Sequence, residues 1–328
     1  MSTTGITTRV WLWLLLALPG LAPISAHADT YPSKSVKLVV PFAAGGSTDI
    51  VARATARALA KSLGQSFIVE NRPGASGNIG AEIVAKAAAD GYTLLVATTN
   101  VTLNPAVTRV LPYDPVRDFS AITMVAFAPM VLVTQPGYGG NSLSELTQYI
   151  KANPGKMNFS SSGTGGAPHL AGEMYKMGAG LEMVHVPYNG AVPAITDILT
   201  GQVQMTFTTY LSAQGLLKAG KLRALGVGSA NRLPLLPEVP TFNESGFKDF
   251  EIGTMFGLVA PAKTPKDIVQ KIYTTLESAA QTKEFRDQII EQGGEVVVNT
   301  PAVYADYIAK DVEKWKRLVK QIGNVNPS

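Results

Sequence analysis

The chain carries one unit twice: a run of β-branched residues or serines, a glycine turn, then a helical pattern. The first copy is VVPFAAGGSTDIVARATARAL, from Val39 to Leu59, and the second is NFSSSGTGGAPHLAGEMYKM, residues 158 to 177. A strand that enters a helix through glycines presents backbone N–H groups without internal partners at the positive end of the helix dipole. Such a turn suits an anion. Neither copy is a nucleotide motif, because no lysine follows Gly45-Gly46 or Gly165-Gly166 and the spacing of the dinucleotide fingerprint is missing. Two uncharged turns in separate parts of the chain fit two small anionic groups, such as the ends of one dicarboxylate.

Between and around these copies, SVKLVV, SFIVE, TLLVAT and MVLVTQ alternate with helical patterns at Ser47 to Leu63 and near Asn78 to Ala89. KMNFSSS, MVHVPY, VQMTFT and LRALGV follow, interleaved with helices after Ser142, from about Ala167 to Met177, and from Ala191 to Leu199. The alternation predicts an α/β fold with mainly parallel sheets flanked by helices. Ligands of open α/β sheets sit beyond the carboxyl ends of the strands, where both turns lie. Residues 249 to 260 read as extended. The C-terminus reads as helical, with Tyr304, Ile308, Val312 and Trp315 on one packing face.

The first residues offer Arg9, the apolar run VWLWLLLAL, the breaker Pro19-Gly20, and Ala26-His27-Ala28. That layout predicts a signal peptide over residues 1–28, cut after Ala28, and a periplasmic protein. The apolar run falls short of the roughly 20 residues that a membrane span needs. With no cysteine there is no disulfide, thiolate metal site or cysteine nucleophile. The 28 basic and 24 acidic residues are scattered, without the clusters of a nucleic-acid surface.

PFAAGGSTDIVAR, ENRPGASGNIGAEIVAKAAADGYTLL, LPYDP, NPGKMNFSSSGTGGAPHLAGE, VPYNGAVPAITDILTGQVQ, AGKLRALGV and EVPTFNESG together resemble the Bug-type solute receptors of tripartite tricarboxylate transporters. The resemblance covers essentially the whole chain after the leader. It implies a two-lobed periplasmic binding fold of the second type, with residues 29–127 and 253–328 as lobe 1, 128–252 as lobe 2, and the ligand cleft between them. It also implies a monomeric receptor that hands a small carboxylate to one large and one small membrane subunit, without a cofactor. Carried over by motif, lobe 1 supplies Phe42, Ala44, Gly45, Gly46 and Asp49. Lobe 2 supplies Ser161, Ser162, Thr164, Gly165 and His169, and PYNG adds Tyr188, Asn189, Gly190 and Ala191. PYNG stands where the family commonly has PYKG, and MTFTTYLSA has Thr208, Thr209 and Tyr210 where an aspartate is frequent. A wall of hydroxyls and an aromatic ring there predicts room for a bulkier or aromatic acid, with Thr209 in the site.

Thr98, Thr99 and Asn100 end the TLLVAT strand, where their polar groups are expected to face the same cleft. Asp49 has two readings: it complements the helix dipole and binds the N–H groups of its own turn, or it meets a ligand amine or bridging water. His169 is either a donor to the anion or a capping histidine. His169 and Glu173 share a helical face, but His185 is the only other histidine after the leader, so a metal site is not expected. The competing function is a secreted serine hydrolase using Ser161 or Ser162 with His169. The nucleophile elbow G-x-S-x-G is absent, which argues against it.

Overall fold

The protein is described by a computed structural model over residues 31–108, 110–188 and 191–323. The signal peptide with its cut after Ala28, and the site residues Asn189 and Gly190, lie outside the described residues. The chain opens with β1 (Val36–Val40), α1 (Ser47–Leu63), β2 (Phe67–Asn71), α2 (Asn78–Ala85), β3 (Thr93–Thr98), α3 (Thr99–Val107) and the long β4 (Phe119–Thr134). It continues through α4 (Leu143–Ala152), β5 (Met157–Ser161), α5 (Ala167–Ala179), β6 (Met183–Pro187), α6 (Ala191–Leu199), β7 (Met205–Thr209), α7 (Tyr210–Lys218) and β8 (Arg223–Val227). It closes with β9 (Gly253–Pro261), α8 (Lys266–Ala279), α9 (Lys283–Ile290), β10 (Glu295–Val296) and α10 (Pro301–Ile322).

The bounds of α1 coincide with the sequence expectation, because Gly64 at φ +71° ends it with an N–H bond to the Ala60 carbonyl. By contrast, α2 stops at Ala85 instead of near Ala89, and α5 runs two residues beyond Met177 to the left-handed Gly180. The helix α3 was not foreseen. Pro105 weighs against it in the sequence, but Thr99, Thr102 and Leu103 are buried in tertiary contacts that hold it.

Parallel pairing, expected from the alternation, holds for β2–β1–β3 and for β7–β5–β6. The centre is antiparallel: residues Phe119–Pro129 of β4 pair with β9, and Met130–Thr134 pair with β7, flanked by β8 on the remaining edge. This mixed centre follows from β4 and β9 being the strands that run between the two halves of the sheet.

Register fixes where the two glycine turns go. Both β3 and β4 oppose β9, so they point the same way, and β1 is parallel to β3. Thr98 at the end of β3 is level with Phe256, and Phe256 with Ala126 of β4. From the other side β7 opposes β4, with Thr209 level with Met130, and β5 is parallel to β7. The carboxyl ends of β1 and β3 therefore point along β4 toward Met130, and those of β5 and β7 point back toward Pro129. The two glycine turns thus follow strands that point toward the Pro129–Met130 step from opposite directions.

Side chains alternate across each strand and so feed two layers per half. Val36, Leu38 and Val40 pack on Leu59, Ile272 and Phe285 of α1, α8 and α9, while Val39 joins Ala81, Val84, Tyr304 and Ile308 of α2 and α10. In the second half Leu132, Phe159 and Phe207 meet Leu146, Leu170 and Tyr175, and Val131 and Val133 meet Ile195, Ile198 and Ala213. Each such apolar side chain contributes about 1.5–3 kcal/mol when fully buried. Helix α10 serves both halves: Tyr304 lies in the first core and Trp315, with Leu103 of α3, in the second. Tyr304, Ile308, Val312 and Trp315 are all buried, as their spacing predicts.

Candidate ligand-binding site

The two turns have the same backbone. Gly45 and Gly165 are left-handed at φ +87° and +78°, and the next residues, Gly46 and Gly166, cap α1 and α5 at φ −81°, ψ 171° and φ −79°, ψ 166°. No side chain caps either helix, so the first N–H groups are left for an outside acceptor. On α5, Pro168 removes one of these donors and leaves those of Ala167 and His169. Ala44, Gly45, Gly46, Ser162 and Thr164 are exposed, and Phe42 is half-buried beside them. A Cβ at Gly46 would have only the Ala43 carbonyl within reach, at 3.9 Å, and one at Gly166 would meet nothing closer than 3.7 Å. Among the described residues, a side chain at either position would therefore meet no close neighbour.

One bond is common to both turns and redefines two predicted site residues. The N–H of Gly45 donates to Asp49 Oδ2 at 3.0 Å, and that of Gly165 donates to His169 Nδ1 at 3.1 Å. Asp49 is buried, and its oxygens also accept from Arg53 at 2.9 and 3.1 Å and from Asn71 Nδ2 at 3.0 Å. Burial raises its carboxyl, but Arg53, Gly45 and Asn71 outweigh that and hold it below the ordinary range. These bonds match the structural reading of Asp49, in which it binds the N–H of its own turn. Asn71, which also donates to the Phe42 carbonyl at 3.0 Å, was missed. Arg53 was missed too, although its spacing of four from Asp49 is a helix-pair signal.

Below the second turn lies a pair of imidazoles. His169 and His185 stack with ring centroids 3.8 Å apart and planes 15° from parallel, against Phe159. Burial pushes both histidines down, His185 to about 3 with help from the neighbouring His169 and Lys176. Because His169 Nδ1 accepts from Gly165, its proton sits on Nε2, and Glu173 Oε1 is 3.9 Å from that nitrogen. The pair is neutral near pH 7, so the second turn carries no full charge.

Several predicted residues do not present themselves to a ligand. Ser161 is 0% exposed, and its hydroxyl lies between the Gly163 carbonyl at 2.9 Å and His185 Nε2 at 2.7 Å. That also breaks the hydrolase constellation: the serine meets His185 instead of His169, and among the described residues no carboxylate hydrogen-bonds to either ring. Ser162 is exposed but bonds to neither histidine. Thr99 donates to the Gly253 carbonyl at 3.0 Å and accepts from Met255 N at 2.8 Å, which fastens α3 to β9 instead of facing a cleft. Thr98 is 1% exposed, and its Oγ1 has no hydrogen-bond partner among the described residues.

Tyr188 donates to Asp197 Oδ2 at 2.6 Å, and its backbone N–H bonds to the Ser161 carbonyl, which lays the start of the PYNG turn along the second glycine turn. Ala191 opens α6 and is half-buried. Thr209 caps α7 through Ser212 N at 3.4 Å. Thr208 and Tyr210 are buried, with Tyr210 pressed on Gly293, so the expected aromatic wall is part of the core. Two surface cavities, of about 410 Å³ beside Arg57 and Phe285 and about 620 Å³ beside Gln214 and Gln292, are lined by none of the predicted residues.

A family model described as "Tripartite tricarboxylate transporter family receptor" matches residues 51–324. The chain is 36% identical over 313 residues to protein BugT of Bordetella pertussis, covering 94% of this chain and 95% of that protein. Among solved structures it resembles R. palustris Rpa4515 with adipate, at 34% identity and TM-score 0.79 over 89% of this chain and 98% of the other. It also resembles MatC from Rhodopseudomonas palustris with bound malate, at 31% identity and TM-score 0.74 over 88% and 100% of the two chains. The matched family is one of solute-binding receptors, not enzymes. The chain belongs to the receptor family of the tripartite tricarboxylate transporters.

Proposed function

We propose that this receptor works in the periplasm, after loss of its first 28 residues, as a monomer that captures a small di- or tricarboxylate and delivers it to one large and one small membrane subunit. Residues 29–127 with 253–328 and residues 128–252 act as the two lobes, hinged where β4 passes from Pro129 to Met130. One carboxylate binds the amino end of α1 beside Phe42, Ala44, Gly45 and Gly46, and the other binds that of α5 beside Ser162 and Thr164. The PYNG segment, with Asn189 and Gly190, belongs to the second end of the site.

The observation that supports this reading is the pair of matching turns, similar in dihedral angles and following strands that point toward one step of β4 from opposite sides. A hydrogen bond to a charged group contributes about 1.5–3 kcal/mol net, and the helix end adds about 0.3–1 kcal/mol. A few such bonds at each end reach the roughly −8 kcal/mol of micromolar binding after ordering losses. Adipate and malate in the related structures fit the same chemistry. With Tyr210 in the core, an aliphatic acid is favoured over an aromatic one.

Calorimetric titration of the protein with adipate, malate, citrate and phthalate tests this. Saturable micromolar binding of an aliphatic member without turnover is expected. Binding of neutral solutes alone, or tightest binding of phthalate, contradicts it.

A further inference from the structure

The turn between β2 and α2 has four consecutive residues at positive φ: Gly74 at 134°, Ala75 at 46°, Ser76 at 54° and Gly77 at 91°. Two of the four are not glycine, and such residues hold a left-handed backbone only when their surroundings impose it. Here the imposing groups are two amides from α3. Asn100 Nδ2 donates to the Ser76 carbonyl at 3.0 Å, and Asn104 Nδ2 donates to the same oxygen at 3.2 Å and to Asn78 Oδ1 at 2.6 Å. Tyr113 completes the set with a 3.0 Å bond to Asn78 Oδ1. Asn100 and Asn104 are one helical turn apart and share a face.

The constrained turn rests on the first glycine turn. A Cβ at Gly77 would lie 3.4 Å from the rings of both Phe42 and Pro41, and one at Gly80 only 2.9 Å from Pro41. Phe42 is thus set between this segment and Asn71, which holds its carbonyl. Other faces of α3 reach elsewhere: Thr99 bonds to β9, Thr102 donates to Asp311 Oδ2 at 2.6 Å, and that oxygen also accepts from Trp315 Nε1 at 2.8 Å. Leu103 and Trp315 lie in the second core.

We infer that Asn100 and Asn104 are positioning residues for ligand capture, holding the 74–77 turn against Phe42 and so fixing the first glycine turn from a helix anchored in the second core. The ligand-binding part of this inference rests on the function proposed above; the mechanical part does not.

The test measures amide hydrogen exchange and adipate binding on the full protein carrying Asn100→Ala with Asn104→Ala. Without any ligand, exchange over residues 41–49 is expected to rise at least tenfold while β4 peptides stay as in the parent, and adipate affinity to fall at least tenfold. Adding Ala75→Gly and Ser76→Gly, which relieves the positive φ directly, is expected to recover most of both. Where the double variant does not fold, Asn100→Ala alone, at a half-buried position, decides by the same exchange readout. Unchanged exchange at 41–49, a rise shared equally by β4, or no recovery with the glycines overturns the inference. A parent protein that binds none of adipate, malate and citrate contradicts the function while leaving the exchange result decisive.

Discussion

Gly165 donates its N–H to Nδ1 of His169 at 3.1 Å, across the four-residue reach by which Gly45 binds Asp49. The two helices use different side chains, an imidazole and a carboxylate, to close the same turn. The shared requirement is an acceptor, so the Asp49 carboxylate and His169 Nδ1 are committed inside their own turns, and neither turn carries a cation of its own. Such a site suits a solute that must later leave, since no buried cation is stranded on release.

The histidine pair makes stability depend on pH. Both imidazoles sit below their ordinary value when folded, because burial disfavours the charged form. Between the unfolded value near 6.5 and the folded value near 3 for His185, the unfolded chain binds more protons, so stability is full above about pH 6.5 and falls as pH drops. Urea midpoints measured from pH 7.5 to 4 are expected to fall, and less steeply in His185→Gln. Equal slopes in the two proteins contradict this.

Asp49→Ala leaves the Gly45 N–H, Asn71 and Arg53 without their shared acceptor. A loss of about 1–3 kcal/mol in unfolding free energy is expected for such orphaned groups. Because the carboxylate is committed inside the turn, the ratio of affinities for glutarate and glutamate is expected to stay constant in the variant. A selective loss of glutamate binding in calorimetry contradicts the structural role.

Thr99→Val removes one donor and one acceptor between α3 and β9. Denaturant unfolding is expected to show a loss of about 1–3 kcal/mol, since the Gly253 carbonyl and Met255 N–H lose their side-chain partner. Unaltered stability contradicts a fastening role.

Much of this was legible in the sequence. Both glycine turns, the limits of α1 and the buried face of α10 follow from local chemistry: a left-handed glycine, an open helix end, a period of 3.6. What stayed hidden depends on partners distant in the chain. Ser161 meets His185 because β5 and β6 pair with Phe159 opposite His185, which no spacing reveals. Only the MVLVT end of β4 reads as a strand, since the alanines and Pro129 dilute the rest, and pairing with β9 supplies what propensity lacks. Pro105 concealed α3, and with it the bonds by which Asn100 and Asn104 hold the 74–77 turn.

The grip of two turns on one acid is tested most directly by titrating adipate into Gly46→Val and Gly166→Val. At both positions the backbone is extended and no atom lies within 3.6 Å of the added Cβ, so each variant is expected to fold with a loss under about 2 kcal/mol. The new side chain fills the space before the helix end, and each substitution alone is expected to weaken binding at least a hundredfold, about 2.7 kcal/mol. Parental affinity in either folded variant would contradict a ligand held by both halves.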